Sequence, residues 1–157
     1  MKLERYAEDH ADALWAILEP MLRAGETYCL PRDMGRAAAL AYWCDAAHEV
    51  WMAGDGLGTC YLRANQAGGG DHVCNAAFVT APGGGGKGVA RAMLEHALDR
   101  ARERGFAAMQ FNFVVASNTR ALKIWADYGF DIVGRVPQAF RHPAHGMTDA
   151  LILHRFL

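Results

Sequence analysis

The stretch Phe78–Leu98, FVTAPGGGGKGVARAMLEHAL, decides how the rest of the chain is read. It opens on an apolar run, passes through four consecutive glycines at Gly83–Gly86, and continues through Lys87 and Gly88 into a periodic segment. Val89, Ala90, Met93, Leu94, Ala97, Leu98 and Ala101 fall on one face of that segment, and Lys87, Arg91, Glu95, Asp99 and Arg102 on the other. A repeat near 3.6 residues sustained over about four turns predicts an amphipathic helix. A strand that feeds a glycine loop and then a helix builds an anion site. Glycine lets the backbone approach a ligand closely, and the unpaired N–H groups of the first helical turn point at it. A phosphate or pyrophosphate is the expected ligand.

The letters around the loop discriminate among phosphate-binding motifs. A P-loop needs Ser or Thr after Gly-Lys to reach the magnesium ion; here Gly88 follows Lys87. The dinucleotide fingerprint G-x-G-x-x-G is met by Gly83, Gly85 and Gly88, but a glycine run meets almost any glycine pattern. That fingerprint also asks for an acidic residue closing the next strand, and the run Ala107–Val115 ends without one. A nucleotide-dependent oxidoreductase therefore rests on the glycines alone, and a binding test with NAD would decide it.

The remaining composition narrows the class. The chain has 157 residues, 52% hydrophobic and 21% charged, with net charge −1. That suits one globular domain over residues 1–157 with a real core. The near-zero charge argues against a nucleic-acid partner, and no apolar run approaches the length of a membrane span. MKLERYAEDH has no signal-peptide pattern. Cys29, Cys44, Cys60 and Cys74 are widely spaced with no C-x-x-C, which reads as free thiols in a reducing cytoplasm.

Around the central stretch the elements follow in order. Lys2–Tyr6 is a short strand, and a helix opens at Asp9 or His10 and stops at Gly25. A polar and aromatic link, Glu26–Pro31, leads to a second helix over about Asp33–Ala47. Val50–Ala53 and Gly58–Arg63 form a hairpin about Gly54-Asp55-Gly56. His72–Thr80 is a central strand, Ala107–Val115 a buried one, and Ser117 or Asn118 caps a helix that ends at Tyr128 before Gly129. Val133–Val136 and Thr148–Arg155 close the sheet. The order β-α-α-β-β-β-α-β-α-β-β predicts a mixed α/β fold, a largely antiparallel sheet of six or seven strands with helices on both faces.

Two motifs carry a resemblance across nearly the whole chain. Gly85, Gly88 and Ala90 stand at the three fixed positions of the loop Q/R-x-x-G-x-G/A, with Gly85 in place of the usual Gln or Arg. Asn118–Phe130, NTRALKIWADYGF, is similar to N-x-x-A-x-x-L-Y-x-x-x-G-F, with Asn118, Ala121, Gly129 and Phe130 in place. Both belong to the GNAT N-acyltransferases. HVCNAAFV, FNFVVASN and GRVPQAF…TDALIL further resemble a GNAT subgroup that includes fungal acetyltransferases of proline-analogue amino acids.

The resemblance implies acetyl-CoA as cosubstrate, a small-molecule amine such as an amino acid or analogue as acceptor, and a homodimer by family habit. It implies cofactor contacts from Phe78, Val79 and Thr80, from Gly85, Gly86, Lys87, Gly88, Val89 and Ala90, and from Asn118, Ala121 and Trp125. Backbone N–H groups of Val79 and Thr80 would hold the thioester oxygen, and the loop amides the pyrophosphate. Trp125 takes the place of the family's proton-donating Tyr; indole cannot release a proton near pH 7, so it reads as a wall of the channel. Tyr128, one turn on, reads as a core residue. Asn75 and Asn112 sit inside apolar strands, where an amide is costly unless paired. They are the candidate catalytic pair, one anchoring substrate and one polarising the reacting carbonyl. Glu26, Thr27 and Tyr28, with Asn75, are candidates for reading the substrate. Asp71 and His72 read as a solvated strand end, and His142, His145 and Asp149 lack the alignment a metal needs, so no metal is expected. A CoA-binding module with little turnover is the alternative kept open by Gly85 and by Trp125.

Overall fold

The computed structural model describes residues 1–157. Its strands are β1 (Leu3–Arg5), β2 (Glu49–Ala53), β3 (Gly58–Ala64), β4 (Val73–Thr80), β5 (Ala108–Val115), β6 (Asp131–His142) and β7 (Gly146–Phe156). The helices are α1 (Ala11–Ala24), α2 (Arg36–Trp43), α3 (Val89–Glu103) and α4 (Thr119–Asp127). The strands form one sheet in the order β1-β2-β3-β4-β5-β7-β6, antiparallel throughout except for the parallel pair β4–β5. Element order, sheet type and the placing of helices on both faces are as the sequence predicts.

Strand alternation sorts the core into two layers. Tyr61, Ala77 and Val79 face α1 and α2, meeting Leu14, Leu18 and Trp43. Leu62, Cys74 and Ala76 face α3 and α4, meeting Leu94, Leu98 and Trp125. α1 stops as expected at Gly25, which takes the left-handed conformation at φ 65°.

Two elements differ in extent from their sequence reading. α2 covers Arg36–Trp43 rather than Asp33–Ala47. Gly35 is still extended, and beyond Cys44 the Asp45 carboxylate accepts from Ala47 N–H, turning the chain out of the helix. The closing strands are longer than expected, Asp131–His142 and Gly146–Phe156. Pro137 hid the continuation of β6, but β6 is an edge strand and its register shifts between Val136 and Phe140, where a proline is tolerated. There Gln138 adopts φ 49°, and its N–H donates to Asp149 Oδ1.

The feature that positions the site is a fork. β4 and β5 pair only at Val73↔Ala108 and Cys74↔Met109 and then part. β5 stays with β7, through a register shift between Phe111 and Val114, while β4 continues alongside β3 to Thr80. Buried Asn75 stands just past the last pair, and its Nδ2 donates to Gln110 O at 2.9 Å, tying the strands where their ladder ends.

Candidate active site

The fork opens into a cleft of about 1160 Å³ that runs through the sheet from the glycine loop to the loop after α1. Its central wall is aromatic: Trp125 packs 5.2 Å from Phe78 and 5.0 Å from Phe111, ring centre to ring centre. Trp125 is thus a wall of the cleft, as its chemistry suggested.

Donors on the open edge of β4 follow from register. Ala81 N–H donates to Leu57 O, and the β3–β4 register runs unbroken from Gly58↔Thr80 to Ala64↔Cys74. Alternation along an antiparallel ladder then turns Val79 N–H toward β3 and leaves those of Phe78 and Thr80 facing the cleft. Val79 therefore cannot supply the donor expected of it, although the residue lines the cleft. The Phe78 amide is already engaged: Tyr28 Oη accepts from Phe78 N–H at 3.0 Å and donates to Phe78 O at 2.9 Å. Burial pushes the Tyr28 phenol far up, so it stays protonated in this role. Thr80 N–H is left as the free donor on this edge.

At the other end, Pro82–Gly84 makes a tight turn before the remaining loop residues lead into α3. Gly84 is the glycine that packing demands, because a Cβ there would lie 2.7 Å from Leu57 O. Gly86 and Gly88 both sit near φ 76–77°, a conformation that disfavours any side chain. Gly85 needs neither freedom, at φ −61° with its nearest neighbour, Arg120 Nη1, 3.6 Å from a built Cβ. The amides of Gly86, Gly88, Val89, Ala90 and Arg91 donate to no protein acceptor, the first helical bond being Ala92 N–H to Gly88 O. These are the expected anion donors. Lys87 differs from expectation: its amide turns inward to Gly84 O, its side chain is exposed, and neither it nor Gly85 lines the cleft.

α4 closes this end. Asn118 Oδ1 caps it, accepting from Ala121 N–H at 3.3 Å, while Asn118 and Ala121 both line the cleft. Arg120 was missed by sequence reading. It enters no ion pair, whereas its neighbours Arg91 and Lys123 are both held by Asp127. A free cation in the first turn of α4, beside the loop position where a basic or amide side chain is absent, was a signal available only once α4 and the loop were brought together.

The opposite end is polar and lies on the α1–α2 face. Glu26, Thr27 and Tyr28 line it with Asn75 and Asn112. Asn112 is exposed, its Nδ2 donating to Asn65 Oδ1 at 2.6 Å and its Oδ1 accepting from Gln110 Nε2 at 3.0 Å. Asp71 and His72 are exposed and outside the cleft. Tyr128 also lies outside it, half-buried rather than in the core, with its hydroxyl donating to Glu95 Oε1 at 2.5 Å. His142 Nδ1 accepts from Ala144 and His145 N–H, and Asp149 pairs with Arg135, so these groups serve the β6–β7 hairpin. All four cysteines are free thiols, and burial pushes Cys60 and Cys74 up to about 12.

A parted parallel strand pair, with a loop of unpaired amides at one end of the gap and a polar pocket at the other, defines the class of fold. Comparison with known proteins agrees. The acetyltransferase (GNAT) family model matches residues 4–130, and the chain belongs to that family. It is 33% identical over 97 residues to N-acetyltransferase aca1 of Schizosaccharomyces pombe (strain 972 / ATCC 24843), a match covering 61% of this chain and 46% of that protein. The chain thus spans about half the length of that relative. A GCN5-related N-acetyltransferase from Kribbella flavida superposes with TM-score 0.94 at 33% identity, over 99% of this chain and 97% of the other. The fold is shared as well by yncA of Salmonella typhimurium, a putative acetyltransferase solved with acetyl-CoA, at TM-score 0.85 and 17% identity over 100% and 94% of the two chains.

Proposed function

We propose that the protein transfers an acetyl group from acetyl-CoA to the amine of a small molecule, an amino acid or an analogue. One observation carries this reading: the unpaired amides of Gly86 and of Gly88 to Arg91, and the unpaired Arg120, meet at one end of a cleft that continues to a separate polar pocket. Those donors suit the pyrophosphate of CoA. The gap between β4 and β5 suits the extended pantetheine arm, and Asn118 lines the cleft that holds it. Acetyl-CoA supplies an activated thioester. The acceptor nitrogen forms a bond to its carbonyl carbon, the C–S bond breaks, the amine proton goes to solvent, and the thiolate leaves. Thr80 N–H, next to the loop that would hold the pyrophosphate, is the chain's own donor toward the pantetheine arm rather than the thioester oxygen. Asn112 is assigned to the acceptor or the reacting carbonyl, and Asn75 to holding the fork that shapes the pocket.

The deciding experiment measures CoA thiol release with acetyl-CoA and a panel of small amines. Steady release with any amine supports the transferase. Tight acetyl-CoA binding with no release across the panel favours a CoA-binding module and overturns it. The same reading includes a homodimer, supported by the exposed Ile132, Val133, Val136 and Met147 on β6 and β7, and checked by solution mass. A cytoplasmic setting fits the four free thiols.

A further inference from the structure

One cation in the cleft has no role in the acetyl-CoA half. Arg63 stands on β3 directly opposite Asn75 of β4. Five residue steps along β4 separate that pair from Thr80 at the glycine loop, which is about 17 Å of strand. Tyr61, two residues earlier, faces the α1–α2 layer, so alternation sends Arg63 to the same face, and it lines the cleft there. Its Nε is buried and has no hydrogen-bond partner, and the guanidinium enters no ion pair. An arginine in this state is costly to keep, because a buried donor has given up water and received nothing. The other cations lining the cleft, Arg91, Arg120 and Lys123, all belong to α3 or α4 at the loop end. CoA phosphates therefore leave Arg63 unused.

The surroundings say what it awaits. Asn65, Asn75, Gln110 and Asn112 form a linked amide patch on the same region of the sheet, bonded Asn75 to Gln110 O and Gln110 to Asn112 to Asn65. The cleft's single carboxylate, Glu26, does not pair with Arg63 and leaves it unneutralised. Burial pushes the Tyr61 phenol up, and the Arg63 charge pulls it partly back. A planar guanidinium with free N–H groups matches a carboxylate, which it can hold through two parallel hydrogen bonds.

We propose that Arg63 is the anchor of the acceptor pocket and that the amine accepted by this protein carries a carboxylate seated on it. The inference rests on the acetyltransferase reading and names the group that would hold the amino acid's carboxylate. It also assigns specificity to a β3 residue rather than to the loop after α1.

The test compares small amino acids with their amides and with the matching decarboxylated amines, on wild type, Arg63→Met and Arg63→Lys. Acetyl-CoA affinity is measured separately by calorimetry. Wild type is expected to favour the acids by about tenfold or more in kcat/KM. Arg63→Met is expected to raise KM for the acids by a similar factor, leave kcat nearly unchanged and abolish the preference, with acetyl-CoA affinity unmoved and the melting temperature not lowered. Arg63→Lys is expected to restore part of the preference. Deaminated acids should compete with the amine on wild type, which keeps the question open to experiment if Arg63→Met does not fold. If wild type takes amides as readily as acids, if the variants discriminate as wild type does, or if deaminated acids do not compete, the anchor is wrong while the transferase stands. If wild type neither binds acetyl-CoA nor releases CoA with any amine, the transferase reading falls and the anchor with it.

Discussion

Arg120 reaches into the space beside Gly85, where the loop motif has lost its usual Gln or Arg. A guanidinium from α4 can supply the charge that the loop position lacks. Arg120→Ala should weaken acetyl-CoA binding by about tenfold, or ~1.4 kcal/mol, and most strongly at low ionic strength, where exposed charges are least screened. Calorimetric titration at two salt concentrations checks this; unchanged affinity at both would remove Arg120 from the site. His96 illustrates a residue with a different burden. Its Nε2 is buried without a partner and its ring packs 4.3 Å from that of Trp51. Burial lowers its pKa, with Glu103 and Asp99 opposing. The unfolded chain therefore binds the His96 proton more readily than the folded one. Stability is full above the unfolded value of about 6.5 and declines as pH falls below it toward the folded value. Urea midpoints between pH 7.5 and 5 should fall, and His96→Gln should flatten that slope. An equal slope in the variant would refute the assignment.

At the scale of elements, the glycine loop is heterogeneous in what it requires. Gly84→Ala drives a methyl against Leu57 O and Thr80 Cγ2, at 2.7 and 2.8 Å. It should cost about 1–3 kcal/mol, as overpacking does. Gly85→Ala fits the existing backbone and should be neutral or stabilising by up to about 1 kcal/mol through the unfolded chain. Denaturant unfolding of the two variants gives the contrast, and equal stabilities would mean the loop is not packed as described. That distinction was not legible in GGGG, since identical letters carry no record of their neighbours. Elements with a strong period were legible: the apolar stripe of α3 and the Asn118 cap of α4 were set locally. α2 and the β6–β7 hairpin were not, because a side-chain turn at Asp45 and a bulge at Pro137 override local preference.

For the whole molecule, the question is whether any protein group titrates in the reaction. Trp125 cannot donate a proton. Tyr128 lies outside the cleft, and its phenol is raised chiefly by the hydrogen bond to Glu95. Tyr28 and Tyr61, inside the cleft, are raised by burial. Below pH 10 these phenols stay protonated, so none of them should produce a falling limb. The CoA thiol, with a pKa of about 8.5, leaves without help, and the neutral fraction of the amine limits the rate. At saturating acetyl-CoA, kcat/KM should climb from pH 6 to 10, identically in wild type and Tyr128→Phe. A falling limb lost in the variant would make Tyr128 the acid.

The sequence by itself determined the order of elements, the sheet class, the anion loop ahead of α3 and the family to which the loop and the α4 segment belong. These are local properties: period, capping and glycine placement act over a few residues, so a linear pattern records them. Only tertiary structure decided which groups face the cleft. Register turned Val79 N–H away and left Thr80 free, Tyr28 took the Phe78 amide from fifty positions off in the chain, and Asn75 became the tie of the fork. Arg120 and Arg63 gained meaning from what does not pair with them. An absent partner is a fact about three-dimensional neighbours, and no spacing along the chain encodes it.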